Sequence, residues 1–298
     1  MKVGIIGAGS IAGTMAGTIR EMDCAQNYAV AARDYGRAAE FAQTYGFEKA
    51  YGSYEELVED AGVELVYIAT PHSHHYEHIK LCLNHGKHVL CEKSFTVNES
   101  QAREVLALAR EKKLLLTEAI WTRYMPMRKT LDSVLSSGVI GRPYMLTANL
   151  GYIISGKERI MRPELAGGAL LDVGIYPLNF ASMVFGDEVD SITGTAVMTE
   201  TGVDAQNSIT ITYKDGKMAA LCSSAMGLSD RRGIIYGDNG FIEVENINNC
   251  EGIRVYDRSR NMIASYDTPK QISGYEYEVE ACLRAIKEGA LECPGNAP

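Results

Sequence analysis

Residues 2–13 read KVGIIGAGSIAG, and this stretch decides the fold of the first part of the chain. Its opening apolar run predicts a buried strand, and a glycine-rich turn follows at once. Gly7 permits a tight strand-to-helix turn, Gly9 lets the backbone approach a pyrophosphate, and the small Ala12 lets the helix pack on the strand. The free N–H groups of the helix that begins near Ser10 attract phosphates. The stretch therefore predicts a dinucleotide-binding Rossmann site rather than a plain glycine turn.

Apolar runs alternate with helical patterns up to about residue 120. Strands are predicted at 2–6, 28–32, 64–69, 87–91 and 114–119, and helices at 10–22, 36–45, 53–59, 75–85 and 98–112. Such alternation is typical of a parallel, doubly wound α/β sheet with helices on both faces. We therefore predict that residues 1–120 form a Rossmann dinucleotide-binding domain.

The pattern changes near Trp121. Strands are predicted at 143–151, 190–198, 206–213, 217–225, 232–237, 240–246, 252–257 and 261–266, with helices at 125–136, 168–184 and 274–288. Short strands joined by turns such as Lys214-Asp215-Gly216 favour an antiparallel meander. We therefore predict that residues 121–298 form an α+β domain with a large, mainly antiparallel open sheet that can offer one face to a partner.

The composition indicates a soluble, globular protein. The 298 residues are 46% hydrophobic, enough for two ordinary cores, and the formal net charge of -9 argues against nucleic-acid and anionic-membrane partners. No apolar run approaches the roughly 18 residues of a membrane span, and no signal peptide is recognisable. The seven cysteines are scattered and odd in number, which predicts buried thiols in a reducing cytoplasm.

The end of the second predicted strand bears on the choice of nicotinamide cofactor. An NAD-specific domain places an acid there to bind the ribose 2′-hydroxyl, whereas this chain has Ala32 followed by Arg33. A small residue leaves room for a 2′-phosphate, with which a guanidinium pairs, and Arg37 adds a second positive charge. NADP is therefore the preferred cofactor, and NAD the alternative if Asp34 takes the 2′-hydroxyl.

Three residues from distant parts of the chain have the chemistry for alcohol oxidation. Lys93 follows the strand that ends near residue 91, and Asp172 and Tyr176 lie four apart on one predicted helical face. A neighbouring ammonium favours the phenolate form of a tyrosine, and a phenolate can take the hydroxyl proton, so we expect Tyr176 to be the acid/base. Asp172 then orients the lysine or the substrate.

These motifs together resemble those of the glucose-fructose oxidoreductase and inositol dehydrogenase family (Gfo/Idh/MocA), from Met1 to about Pro294. The resemblance rests on four segments: Gly7-Ala8-Gly9, Glu92-Lys93, Trp121-Thr122-Arg123-Tyr124 and Gly167 to Pro177. It is greatest with the branch of dihydrodiol dehydrogenases and D-xylose dehydrogenases, which has tryptophan and arginine after the sixth strand and tyrosine where many relatives have histidine.

The resemblance implies an NADP- or NAD-dependent oxidoreductase of sugars, cyclitols or vicinal diols that dimerises through the faces of its C-terminal sheets, either as a homodimer or as a dimer of dimers. It places Lys93, Asp172 and Tyr176 in the catalytic positions. The expected cofactor contacts are Gly7, Gly9, Ser10, Ile11, Ala12, Arg33, Arg37, Thr70, His75, Glu92, Lys93, Trp121 and Arg123. The expected substrate contacts are Trp121, Tyr152 and Arg159.

One departure concerns the lysine loop. The family usually has Glu-Lys-Pro with a cis peptide that aims the lysine, whereas this chain has Ser94. A non-proline cis bond costs about 2.5 to 4 kcal/mol, so the loop is expected to be strained or rearranged. That departure makes a second interpretation conceivable, namely a catalytically silent sensor that binds NADP without turnover.

Two further interpretations rest on single features. A different Rossmann enzyme, such as an S-adenosylmethionine methyltransferase, would leave Lys93 and Tyr176 without a task. All six histidines lie between positions 72 and 88, and His74 and His78, one helical turn apart, have metal-ligand spacing. No distant ligand completes such a site, so no metal is expected.

Overall fold

The computed structural model describes residues 1–293, which divide into two compact units. The first consists of Met1–Tyr124 together with the segment from Gln271 onward, and the second is Met125–Lys270. The first unit is therefore built from two separate stretches of sequence, and the second is continuous.

The first unit contains a six-stranded sheet in which all neighbouring strands run parallel. The strands are β1 Lys2–Ile6, β2 Gln26–Ala31, β3 Lys49–Tyr51, β4 Leu65–Ile68, β5 His88–Glu92 and β6 Leu116–Ala119, in the order β3-β2-β1-β4-β5-β6. The helices between them are α1 Ser10–Arg20, α2 Tyr35–Tyr45, α3 Tyr54–Glu59, α4 His75–Asn84 and α5 Glu99–Lys112. This confirms the doubly wound α/β prediction.

The sheet has a buried apolar layer on each face. Met15 and Ile19 of α1 join one layer, and Ile79 and Leu83 of α4 join the other. All four residues of β4 are buried. Sheets covered on both faces need such continuous apolar strands, because neither side meets water.

The C-terminal helix belongs to the first unit. After α6, Pro126–Ser136, and α7, Ile175–Phe185, the last helix among the described residues is α8, Glu276–Glu288. Its residues Val279, Cys282 and Ala285 belong to the apolar cluster that also contains Val3 and Met15. The prediction that all of 121–298 forms the second domain is therefore wrong for residues 271–293, because the apolar face of α8 covers the first sheet. Residues 294–298 of that predicted domain lie outside the described residues.

The second unit is built on an eight-stranded sheet. Its strands are β7 Pro143–Gly151, β8 Val189–Met198, β9 Asp204–Tyr213, β10 Met218–Ser224, β11 Gly233–Gly237, β12 Gly240–Glu245, β13 Gly252–Asp257 and β14 Met262–Asp267. The order is β14-β13-β12-β11-β7-β10-β9-β8. The pair β7–β10 is parallel and the other pairs are antiparallel, so the predicted mainly antiparallel sheet is confirmed. It is not a simple meander, since β7 lies between β10 and β11.

The helix α7 packs on one face of this sheet and is largely buried. Phe180 is 1% exposed, and a Cβ on Gly233 of β11 would lie 2.4 Å from its ring. Within residues 1–293, the segment Pro163–Phe185 is the one that is long and apolar enough to cross a membrane by length and composition alone. Most of it is buried inside the structure, as is usual for a core helix of a soluble protein.

The cysteines are all free thiols. Four are buried, but Cys222 is exposed, so the prediction of uniformly buried thiols is wrong there. The reason is that Cys222 lies on the side of β10 opposite Leu221 and Ser223, which are buried.

Candidate active site

The glycine-rich turn has the geometry that a dinucleotide needs. Gly7 has φ of +104°, and a Cβ there would lie 2.8 Å from the carbonyl oxygen of Ala69. Gly9 is the N-cap of α1 and has nothing within 4 Å of its Cβ position, so a ligand can approach the backbone. No side chain caps α1, which leaves the N–H groups of its first turn for an anion. Ala12 is fully buried, as close packing of helix and strand requires. The loop therefore fits the pyrophosphate of a nicotinamide dinucleotide.

The adenosine end of this fold lies at the carboxyl end of β2. Ala32 follows that strand and is buried, whereas Arg33 and Arg37 are exposed. The Arg37 side chain donates from Nη2 to the carbonyl oxygen of Ala8 in the glycine turn, at 3.2 Å. The Asp34 carboxylate accepts from the backbone N–H of Arg37 at 2.8 Å, so it caps α2. In the described part of the chain, no carboxylate forms an ion pair with Arg33 or Arg37.

His75 connects the loop after β4 to the lysine loop. Its Nε2 lies 2.8 Å from the carbonyl oxygen of Thr70, and its Nδ1 lies 2.8 Å from that of Ser94. The ring is completely buried, and burial lowers the pKa of His75 although both carbonyl contacts raise it. The predicted cofactor residues Thr70 and His75 are therefore in contact with each other, and the His75 ring joins two loops.

The histidine-rich segment contains no metal site that the structure supports. Within residues 1–293, no group of three histidine, cysteine or acidic side chains has the arrangement to hold a metal ion. The rings of His74 and His78 lie 5.8 Å apart.

The lysine loop is held by a buried carboxyl group. The Lys93 backbone N–H donates to Oε2 of Glu92 at 3.2 Å, and the Tyr67 hydroxyl donates to Oε1. Burial raises the pKa of Glu92 to about 7, and Lys93 opposes the shift. The peptide bond between Lys93 and Ser94 is cis, so the backbone form that relatives have with proline is present here with serine.

Two further acids in the first unit, the half-buried Glu118 and the fully buried Glu278, were not predicted from the sequence. Glu118 of β6 accepts from the backbone N–H of Phe95 at 3.0 Å. Glu278 of α8 is fully buried, and neither of its carboxyl oxygens has a hydrogen-bond partner among residues 1–293. Burial and the neighbouring charge of Glu92 raise the pKa of Glu278 well above its ordinary value. No local sequence signal marks either acid, because each becomes buried only through tertiary packing.

An aromatic pair stands where β6 ends. Trp121 and Arg123 form a short 3₁₀ turn after β6, and Trp121 is 7% exposed. The Trp121 ring stacks on Tyr275, with centroids 4.2 Å apart and planes inclined by 13°. Tyr275 precedes α8 and was not predicted. Its loop is fixed by Glu276, whose carboxylate accepts from three backbone N–H groups, including that of Gly274 at 2.7 Å.

The second unit contains the predicted carboxylate and phenol. Asp172 lies in a π-helical turn, Leu170–Gly174, that leads directly into α7, and it is 6% exposed. Its Oδ1 accepts from Nη1 of Arg159 at 2.8 Å. Tyr176 follows in the first turn of α7 and is also buried. The predicted substrate contact Arg159 is therefore an ion-pair partner of Asp172.

The start of this helical segment is anchored to β9. Gly168 has φ of +102°, and a Cβ there would lie 2.2 Å from Oδ1 of Asp204. The same carboxylate accepts from the backbone N–H of Leu170 at 2.8 Å. The other predicted substrate contact, Tyr152, accepts at its hydroxyl from Nδ2 of Asn248 at 3.2 Å. The glycine-rich sequence before Asp172 thus permits a close approach to β9.

The predicted site residues are therefore divided between the two units. In the first unit they follow the carboxyl ends of the parallel strands, where open α/β sheets bind ligands. They are Gly7, Gly9, Ser10, Ile11, Ala12, Arg33, Arg37, Thr70, His75, Glu92, Lys93, Trp121 and Arg123. In the second unit Asp172, Tyr176 and Arg159 lie on one segment.

Comparison with known proteins decides the family. A model described as an oxidoreductase family with an NAD-binding Rossmann fold matches residues 1–120, and the GFO/IDH/MocA C-terminal domain matches residues 129–243. The trans-1,2-dihydrobenzene-1,2-diol dehydrogenase of Homo sapiens is 36% identical, over 99% of this chain and 90% of its own length. The chain belongs to the GFO/IDH/MocA oxidoreductase family. This family member is accordingly an oxidoreductase that uses a nicotinamide dinucleotide.

Other relatives agree with this placement. The dehydrogenase of the same name from Xenopus tropicalis is 34% identical over 98% of this family member and 91% of its own length. Among solved structures, a 3-ketoreductase from Actinomadura kijaniata with NADP and TDP-benzene has a TM-score of 0.90 at 24% identity, covering 97% of this chain and 90% of that one. The aldose-aldose oxidoreductase from Caulobacter crescentus, complexed with glycerol, has a TM-score of 0.88 at 19% identity and the same coverages. Both structures share the fold.

Proposed function

We propose that this protein is an NADP-dependent dehydrogenase of vicinal diols or sugars, with Tyr176 as its acid/base. The observation that carries the cofactor preference is that Arg33 and Arg37 have no carboxylate ion-pair partner among the described residues, while Arg37 contacts the glycine turn. Guanidinium groups in such a place are suited to a phosphate monoester. The relatives named as dihydrodiol dehydrogenases support the substrate class.

The competing NAD preference needs a carboxylate for the ribose 2′-hydroxyl. Ala32 has none, and the Asp34 carboxylate is used to cap α2. Replacing Ala32 with Asp should weaken NADP binding at least tenfold and strengthen NAD binding, because a carboxylate repels the 2′-phosphate and accepts from the hydroxyl. Fluorescence titration of the protein with each dinucleotide measures both constants. Unchanged NADP affinity would exclude this assignment of the strand end.

For catalysis, the bound nicotinamide supplies the hydride acceptor. Tyr176 takes the proton from the substrate hydroxyl in the oxidative direction and returns it in reduction. The family resemblance gives Lys93 the role of stabilising the phenolate by its positive charge, and Asp172, which is paired with Arg159, the role of orienting the reacting groups. Glu92 and His75 hold the lysine loop through the contacts at Lys93 N and Ser94 O.

Replacing Tyr176 with Phe should lower turnover by roughly 10² to 10⁴, the contribution of one general acid/base, with little change in cofactor affinity. A double-mutant cycle with Lys93→Met tests the partnership, since residues that act as a unit show non-additive losses. Additive losses would separate Lys93 from the proton transfer, and undiminished turnover in Tyr176→Phe would remove the tyrosine.

The substrate is expected to be a small polyhydroxylated molecule. Reduced-nicotinamide absorbance over a panel of aldoses, inositols, cyclic and acyclic diols tests this directly. Turnover of diols with NADP supports the proposal, whereas tight NADP binding with no turnover across the panel would favour a silent sensor.

We also propose that the protein forms a homodimer through the open face of the second sheet. On β10 the exposed Met218 and Cys222 lie on the face opposite to the one that α7 covers, and the exposed Val197 of β8 lies on the same open face. Light scattering with size exclusion measures the mass, and Cys222→Arg should lower it to that of one chain. A monomeric wild-type protein would reject the proposal.

A further inference from the structure

A cluster of cationic and aromatic side chains surrounds His78 at the adenosine end of the first unit. The His78 ring meets Tyr54 of α3 edge-on, with centroids 4.7 Å apart, and His74 lies 5.8 Å away on its own helical segment. The Nδ1 atom of His78 lies 3.0 Å from Oγ1 of Thr70. The Nε2 atom has no hydrogen-bond partner among the described residues. This histidine therefore has one ring nitrogen fixed and the other available.

The groups around this ring are positively charged or neutral. Arg33 after β2, His74 and His75 act on its pKa, and Tyr54 on α3 and Thr70 after β4 contact the ring. Burial, followed by the neighbouring histidines and Arg33, lowers the pKa of His78 to about 4. Arg33 and Arg37 also face Tyr54, where their charges oppose the effect of burial on its pKa. Without an anion, the cluster therefore keeps His78 neutral at physiological pH.

A phosphate dianion would reverse this balance. An opposite charge within about 4–6 Å raises the pKa of a histidine by about 1–3 units, because it favours the charged form. The residue would then take up a proton and donate from Nε2 as well as Nδ1. The Arg33 and Arg37 pair places the expected 2′-phosphate at this end of the site.

We propose that His78, supported by His74, is a protonatable ligand of the 2′-phosphate of NADP, so that the binding of NADP, but not of NAD, is coupled to proton uptake at this residue. The proposal rests on the proposed NADP preference. It gives the histidine-rich segment a role in cofactor selection instead of metal binding.

The test compares His78→Gln with the wild type by isothermal titration calorimetry at pH 6, using two buffers of different ionisation enthalpy. The buffer dependence of the heat gives the number of protons exchanged, without any need for turnover. The 2′-phosphate also titrates when it binds, so the difference between the two proteins gives the proton exchange of the coupled pair that His78 forms with the phosphate. His85→Gln is the matched control, because His85 is exposed at the end of the same helix and its ring Nδ1 lies 2.8 Å from the Leu81 carbonyl oxygen.

We expect the wild type and His85→Gln to take up more protons than His78→Gln when NADP binds, and all three to behave alike with NAD. Lowering the pH from 8 to 6 should strengthen NADP binding by the wild type relative to His78→Gln, by up to about tenfold for a pKa rise of 3 units. Equal proton uptake and parallel pH dependence would overturn the role of His78. Equal affinities of the wild type for NAD and NADP would instead overturn the cofactor preference, which separates the two failures.

Discussion

Glu278 is a buried acid without a hydrogen-bond partner among the described residues. Its carboxyl group is fully buried on α8, and the charge of Glu92 is close enough to raise its pKa further. A carboxylic acid in such a place keeps its proton at neutral pH, because ionisation would bury an uncompensated charge. In the unfolded chain the same group ionises normally. Holding its proton in the folded state therefore lowers the free energy of unfolding above about pH 4–5.

Replacing Glu278 with Gln should therefore make the protein more stable at pH 8 and change it little at pH 4.5. The pKa of Glu278 is higher in the folded state than in the unfolded one. The free energy of unfolding of the wild type is therefore not reduced by this residue at low pH, and it falls as the pH rises above the unfolded pKa. Each unit of the shift corresponds to about 1.4 kcal/mol. Urea unfolding of both proteins at the two pH values measures the difference.

Glu280→Gln is the control for this change, because Glu280 is exposed two residues further along α8. The difference in free energy of unfolding between Glu280→Gln and the wild type should not increase with pH. An equal pH dependence of Glu278→Gln and wild type would mean that Glu278 ionises normally in the folded protein.

Gly168 is a second residue whose identity is fixed by its surroundings. Gly168→Ala meets both a positive φ and the Asp204 carboxylate, so it should cost more than the strain of about 1–2 kcal/mol for alanine in a left-handed conformation alone. Gly202→Ala provides the comparison, since Gly202 has φ of +89° with nothing within 4 Å of its Cβ position. Thermal unfolding of the two variants separates strain from the clash. Equal losses would mean that Asp204 moves aside freely.

At the scale of single elements, the sequence predicted most helices and strands within about two residues. The short β3, Lys49–Tyr51, was missed because three residues give too little pattern. The parallel pairing of β7 with β10 was missed because it joins strands that are distant in sequence. The Asp172–Tyr176 spacing was recognisable, but the π-helical turn that contains Asp172 has no sequence signal. Local motifs are therefore readable, whereas long-range pairing is not.

The stack of Trp121 on Tyr275 joins two elements of the first unit and gives an optical test. The chain has one tryptophan, so its fluorescence reports this site alone. Tyr275→Leu should shift the emission maximum to longer wavelength, because the buried indole loses its aromatic cover and meets water. Tyr277→Leu, which alters a half-buried tyrosine two residues further on in α8, should leave the emission spectrum unchanged. An unshifted spectrum in Tyr275→Leu would show that the stack does not shield the indole.

At the scale of the whole molecule, the division of the chain is the feature that sequence patterns describe least well. The predicted boundary near residue 120 lies close to the observed one at Tyr124, because the alternating pattern ends there. The return of α8 to the first unit was not predicted, since an amphipathic helix does not indicate which sheet it covers. The contact of Thr18 Oγ1 in α1 with Ser273 Oγ in the loop before α8, at 2.7 Å, is visible only in three dimensions.

Disturbing α8 should therefore affect the first unit selectively. Ala285→Asp places a charge at a fully buried position, and we expect faster hydrogen exchange in β1 and β4, with β9–β12 unaffected. Arg284→Asp introduces the same residue on the exposed side of the helix and should leave both units unchanged. Faster exchange in β9–β12 alone would contradict the assignment of α8 to the first unit.

The return of α8 has a consequence for the order of events during translation. The ribosome makes residues 125–270 before it makes α8, so the eight-stranded sheet has all of its chain available while the nucleotide-binding sheet still lacks a covering helix. Domains generally fold as units as they emerge, and an uncovered apolar surface is prone to aggregation. The nascent protein therefore carries an exposed patch on its N-terminal part until α8 has been made, which makes that patch the natural binding surface for a general chaperone.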